Sequence, residues 1–176
     1  RHRYPFPLRG LALRTTAGQA YNGDMKRLLI IGCGDVIRRN LPNLLQRFRV
    51  YILVRQPEMA QSLRALGAHV IIGDLDQPAT LRRVSGLGEW VIHSAPPPGQ
   101  GLDDPRTRRL LAALAQAGMV PQRLAYISTS GVYGDCQGAL IQETRPLNPA
   151  NARAHRRVDA ERQIRAFARR QACQVS

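Results

Sequence analysis

The ten residues Leu28-Leu29-Ile30-Ile31-Gly32-Cys33-Gly34-Asp35-Val36-Ile37 decide the fold. Four consecutive apolar residues ending at a glycine read as a strand buried on both faces, because a half-exposed strand would alternate apolar and polar side chains. The segment that follows, Asp35 to about Arg47, has helical period. The same alternation recurs along the chain. Strand-length runs lie at Val50–Val54, His69–Ile72, Trp90–His93 and Leu124–Ile127, with helix-period segments at about Pro57–Leu66, Pro78–Val84 and Asp104–Ala117 between them. Repeated βαβ units with short connections predict right-handed crossovers and a parallel sheet with helices on both faces.

The reading is therefore a single-domain, Rossmann-type, doubly wound α/β fold of about five strands over residues 25–176. A last helix from about Ala150 to Arg170 leads to Gln174-Val175-Ser176, where a sixth strand of the order 3-2-1-4-5-6 only begins, and a substrate-binding part is expected to lie beyond. Residues 1–24 hold four arginines, no acid before Asp24 and no sustained period. They read as a tail or an upstream extension, with Met25 opening the domain.

Composition narrows the function classes. A chain of 176 residues with 44% hydrophobic content suffices for one core. No run approaches the roughly 18 apolar residues of a membrane span, so a cytoplasmic protein is expected. Cys33, Cys136 and Cys173 are odd in number and far apart, which suggests neither a disulfide framework nor a metal site. The net charge of +14 raises nucleic acid as a partner, but only Lys26 of the 26 basic residues is lysine, and the arginines spread over nearly every predicted helix. A phosphate-tracking stripe would be concentrated on one face, so nucleic acid is disfavoured.

The chemistry begins at the turn after the first strand. Gly32 and Gly34 stand where a dinucleotide fold places the first two glycines of G-x-G-x-x-G, one for the tight turn and one for backbone approach to a pyrophosphate. Asp35 and Val36 open the helix whose positive end would face that anion. Ile37 replaces the third glycine, so the helix must stand slightly off the strand. A purely structural turn is the alternative reading. At the end of the second strand, Arg55 occupies the place of the acid that binds the ribose hydroxyl of NAD. A guanidinium there suits the 2′-phosphate of NADP, which makes NADP the expected cofactor with NAD the alternative.

Three further segments carry a family resemblance: Gly73-Asp74-Leu75 after the third strand, His93-Ser94-Ala95 after the fourth, and Ser128-Thr129-Ser130-Gly131-Val132-Tyr133-Gly134 after the fifth. In order and spacing the chain resembles the extended short-chain dehydrogenase/reductase (NAD-dependent epimerase/dehydratase) group from about Lys26 to Arg165. The resemblance implies that Asp74 binds the adenine amino group beside Leu75, that Ala95 lines the nicotinamide side, and that Thr129 orients the substrate. The stiff loop opening at Pro96 would border the cofactor. It also implies an oxidoreductase or epimerase acting on a carbonyl, hydroxyl or sugar-nucleotide substrate, with a dinucleotide and a small molecule as partners and a homodimer open.

The group's Tyr-x-x-x-Lys pair is missing. Aligning the last helix on Val158-Asp159-Ala160-Glu161 puts Arg153 at the tyrosine position and Arg157 at the lysine position. Arg157 can hold ribose hydroxyls, whereas Arg153, a permanently charged guanidinium, is a poor proton carrier at neutral pH. The alternative function is a non-catalytic module that senses or is regulated by NAD(P).

Overall fold

The computed structural model describes residues 25–116 and 118–176; the expectation for residues 1–24 lies outside them. Six strands form one sheet: β1 (Arg27–Ile31), β2 (Arg49–Val54), β3 (His69–Ile72), β4 (Trp90–His93), β5 (Arg123–Tyr126) and β6 (Gln174–Val175). Their order is β3-β2-β1-β4-β5-β6 and every pairing is parallel. The helices are α1 (Asp35–Leu45), α2 (Glu58–Ala65), α3 (Pro105–Leu114) and α4 (Ala152–Gln171).

The period-2 rule of strands divides the core. In β1, Leu28 and Ile30 face one side and pack with Ile37 and Leu41 of α1 and Leu63 of α2. Leu29 and Ile31 face the other and pack with Leu110 and Leu114 of α3 and Ile164 and Phe167 of α4. A strand covered on both faces has no polar side to show, which is why 28–31 is apolar throughout.

The sixth strand that begins at Gln174 joins the sheet, Gln174 and Val175 pairing with Arg123 and Leu124 beside the five strands expected. One expectation needs correction. Residues Pro78–Val84 form a 3₁₀ helix, not an α-helix. That segment is a connector of only seven residues, a setting in which the tighter 3₁₀ turn is common. At α3, Asp104 caps the N-terminus by accepting from the Thr107 amide, and Pro105 follows at the first helical position.

Candidate functional site

The carboxyl ends of the strands meet around a cavity of about 280 Å³. Gly32 closes one side and needs to be glycine for two reasons. Its φ is +84°, and a Cβ there would lie 3.0 Å from the Ala95 backbone. Gly34 is different. Its φ of −76° is open to any residue, and a Cβ on it would meet nothing within 4 Å. No internal contact demands glycine at 34, so the space over it is room for something outside the chain.

That space adjoins the start of α1. Gly34 offers no side-chain cap, and Arg38 is the first residue whose amide bonds back to the Gly34 carbonyl. The amides of Asp35, Val36 and Ile37 therefore have no intrahelical acceptor, and they carry the positive end of the helix dipole. Asp35 and Val36 do not themselves line the cavity. The Asp35 carboxylate pairs with Arg39 at 2.9 Å in solvent, and Val36 is 65% exposed, so what they present is backbone. Ile37 is buried against Leu41.

Arg55, Asp74 and Leu75 line the same cavity, with Ala95 and Pro96 across from them. Asp74 sits in an Asx turn: its Oδ1 accepts from the Asp76 amide at 2.9 Å, while its backbone is tied to Thr80 Oγ1. The 3₁₀ helix that follows is not capped by it. Ser94 Oγ donates to the carbonyls of Ile31 and Gly32 and locks the end of β4 to the end of β1. Burial pushes the Cys33 thiol up, with Arg38 opposing, so the group is a poorly reactive thiol in the floor of the site.

The three residues proposed for catalysis are not brought into this cavity. Thr129 is exposed, and its hydroxyl oxygen accepts from the Gly131 amide at 3.3 Å, starting a short 3₁₀ turn. Arg153 is exposed on the first turn of α4. Arg157 is buried: Nη1 donates to Tyr126 Oη at 2.9 Å and to the Ile127 carbonyl at 2.8 Å, and Nε has no partner. Among the described residues no carboxylate pairs with it.

Sequence reading missed Arg106, which also lines the cavity. A cation in the first turn of a helix runs against the dipole, and that was the available signal. In a chain so rich in arginine it did not stand out. It also missed Tyr126 as the group that receives Arg157, since a tyrosine ending a strand looks like core.

No described helix is long and apolar enough to cross a membrane, and no described cluster of His, Cys, Asp or Glu could hold a metal ion. The family model described as NAD(P)H-binding matches residues 32–168. Among curated proteins, the chain is 30% identical over 132 residues to a 4-hydroxy-2-methyl-3-oxo-4-farnesyl-3,4-dihydroquinoline-1-oxide ketoreductase of Stigmatella aurantiaca, covering 69% of this chain and 39% of that protein. Among solved structures, a short-chain dehydrogenase/reductase superfamily protein from Agrobacterium tumefaciens with bound NAD superposes with a TM-score of 0.70 at 21% identity, covering 85% of this chain and 47% of that one. The UDP-Glc/GlcNAc 4-epimerase from Campylobacter jejuni gives 0.71 at 17% identity, covering 84% and 50%. The chain thus spans about half the length of these structures and less of the ketoreductase.

Proposed function

This chain belongs to the NAD(P)H-binding family, and on that premise we propose that the cavity takes NADPH and that the whole protein is an oxidoreductase or epimerase acting on a carbonyl, hydroxyl or sugar-nucleotide substrate. The observation that carries the reading is Gly34: an ordinary backbone conformation, open space where a side chain would be, and an uncapped helix start beside it. A pyrophosphate is the group such a cradle suits. Similarity to a ketoreductase favours a carbonyl within the substrate range.

In this reading Arg55 pairs with the 2′-phosphate, and Asp74 uses Oδ2 for the adenine amino group. Ala95 and Pro96 border the nicotinamide side. The bound dinucleotide supplies hydride transfer. Arg157 and Thr129 lie outside the cavity, and in this reading they act where the ligand extends past it, Arg157 toward ribose hydroxyls and Thr129 toward the substrate. Arg153 keeps its proton at neutral pH and so cannot relay one. In this reading the protein acts in the cytoplasm.

Fluorescence titration tests the reading: saturable NADPH binding is expected, tighter than NADH, and no binding of either would refute it. A second reading, a dinucleotide-sensing module, is favoured by Arg153 standing where a proton carrier would be needed. Substrate-dependent oxidation of NADPH by carbonyl or sugar-nucleotide compounds separates the two. For the 176-residue chain, turnover near background is expected, since general acid catalysis is worth about 10² to 10⁴ in rate.

A further inference from the structure

The loops that leave β3 and β4 form opposite walls of the cavity, yet no ladder joins them, because β2 and β1 lie between. Three interstrand steps separate those strands, roughly 14 Å. Among the described residues one side chain, Arg106, bonds both loops. Arg106, in the first turn of α3 with a side chain 18% exposed, directs Nε at both carboxylate oxygens of Asp76 (3.0 and 3.1 Å) and Nη2 at Asp76 Oδ2 (2.5 Å). Its Nη1 donates to the carbonyls of Pro96 (3.2 Å) and Pro97 (3.3 Å). The planar guanidinium thus holds an aspartate of one loop and two carbonyls of the other in a fixed fork.

Asp76 is the shared anchor. Arg109 Nη1 reaches Asp76 Oδ1 at 3.3 Å and the Leu75 carbonyl at 3.2 Å. The Asp76 amide donates to Asp74 Oδ1 at 2.9 Å, so the place of Asp76 fixes the orientation of the Asp74 carboxylate. The chain of contacts runs from the proline loop through Arg106 and Asp76 to Asp74.

We propose that Arg106 and Asp76 are positioning residues for the dinucleotide, a clamp that sets the spacing of the two cavity walls and aims Asp74 at the adenine end. The proposal rests on the cavity being the dinucleotide site. Rigid walls spare the ligand the ordering cost of closing them, so the clamp raises affinity without touching the nicotinamide.

The test measures dissociation constants for NADPH by fluorescence, and for adenosine monophosphate and reduced nicotinamide mononucleotide by competition, in the parent chain, Asp76→Asn and Arg106→Met. Each single variant is expected to weaken NADPH and adenosine monophosphate about tenfold, the effect of losing one charge-assisted positioning contact. Reduced nicotinamide mononucleotide should stay near its parent value. Unchanged NADPH affinity in the single variants overturns the clamp alone. Equal weakening of both half-ligands overturns it too, since that marks general loosening. A parent chain that binds no nucleotide overturns the cofactor reading and the clamp with it.

Discussion

His93 ends β4 with 1% of its surface exposed, and acidification should expose what holds it neutral. Thr107 Oγ1 donates to Asp104 Oδ2 at 2.9 Å, so at its 2.9 Å contact with His93 Nε2 the hydroxyl oxygen accepts and the imidazole donates. Nδ1 is then a bare acceptor, buried with no partner. Burial first, and the nearby Arg157 charge second, push the imidazole down to about 3 from an ordinary 6.5. The folded protein keeps the ring neutral while the unfolded chain takes up a proton, so the stabilisation is complete above pH 6.5 and drains away as pH falls toward 3. Each pH unit inside that window costs about 1.4 kcal/mol, so at pH 4.5 roughly 2.5 kcal/mol is lost through this residue. Urea unfolding at pH 7 and pH 4.5, in the parent and in His93→Gln, isolates the contribution because every other titrating group is common to both. The parent's stability relative to the variant should fall by about 2 to 3 kcal/mol on acidification. Parallel pH dependence in the two proteins would refute the reasoning.

Arg55→Asp should reverse the order of affinity, binding NADH more tightly than NADPH; equal affinities for the two nucleotides in the parent would remove the case for Arg55. Ile37→Gly restores the third glycine of the turn but deletes a side chain only 4% exposed, so a loss of about 3 to 6 kcal/mol is expected, read from the denaturant midpoint. An unchanged midpoint would show that the isoleucine contributes no packing. Gly32→Ala forces an L side chain to φ +84° and brings Cβ to 3.0 Å from the Ala95 backbone, which should destabilise by at least about 1 to 2 kcal/mol and distort the cavity. Parent-like stability with parent-like NADPH binding would contradict it.

The alternation of apolar runs and helical segments made the topology legible because each strand is covered on both faces, and the solvent-facing helices carry a separate period. The 28–37 stretch was legible for the same reason, a glycine being demanded by backbone geometry at 32, whereas the one at 34 faces open space. β6 was not fully legible. Two residues carry no periodicity, and their pairing with β5 depends on where α4 delivers the chain. The 3₁₀ character of Pro78–Val84 was hidden as well, since its apolar spacing fits either helix. Arg106 escaped for a different reason: its role depends on Asp76 thirty residues away, and no local pattern reports a contact across the sheet.

The two arginines of α4 show where a one-dimensional motif stops carrying information. Alignment makes Arg153 and Arg157 a matched pair, one for tyrosine and one for lysine, but the fold treats them oppositely. Arg153 is left in solvent, where a guanidinium costs little and is bound to nothing in particular. Arg157 is buried with its charge set against neutral partners, the Tyr126 hydroxyl and a carbonyl, and with Nε unsatisfied. An uncompensated buried cation is expensive unless something outside the chain shares the cost, and hydroxyl-rich or anionic ligands do so. The same charge helps hold His93 neutral and stabilises the ionised form of Tyr126, whose hydroxyl burial otherwise pushes up. Substituting Arg157 should therefore disturb His93 and Tyr126 together, whereas substituting Arg153 should leave both as they are.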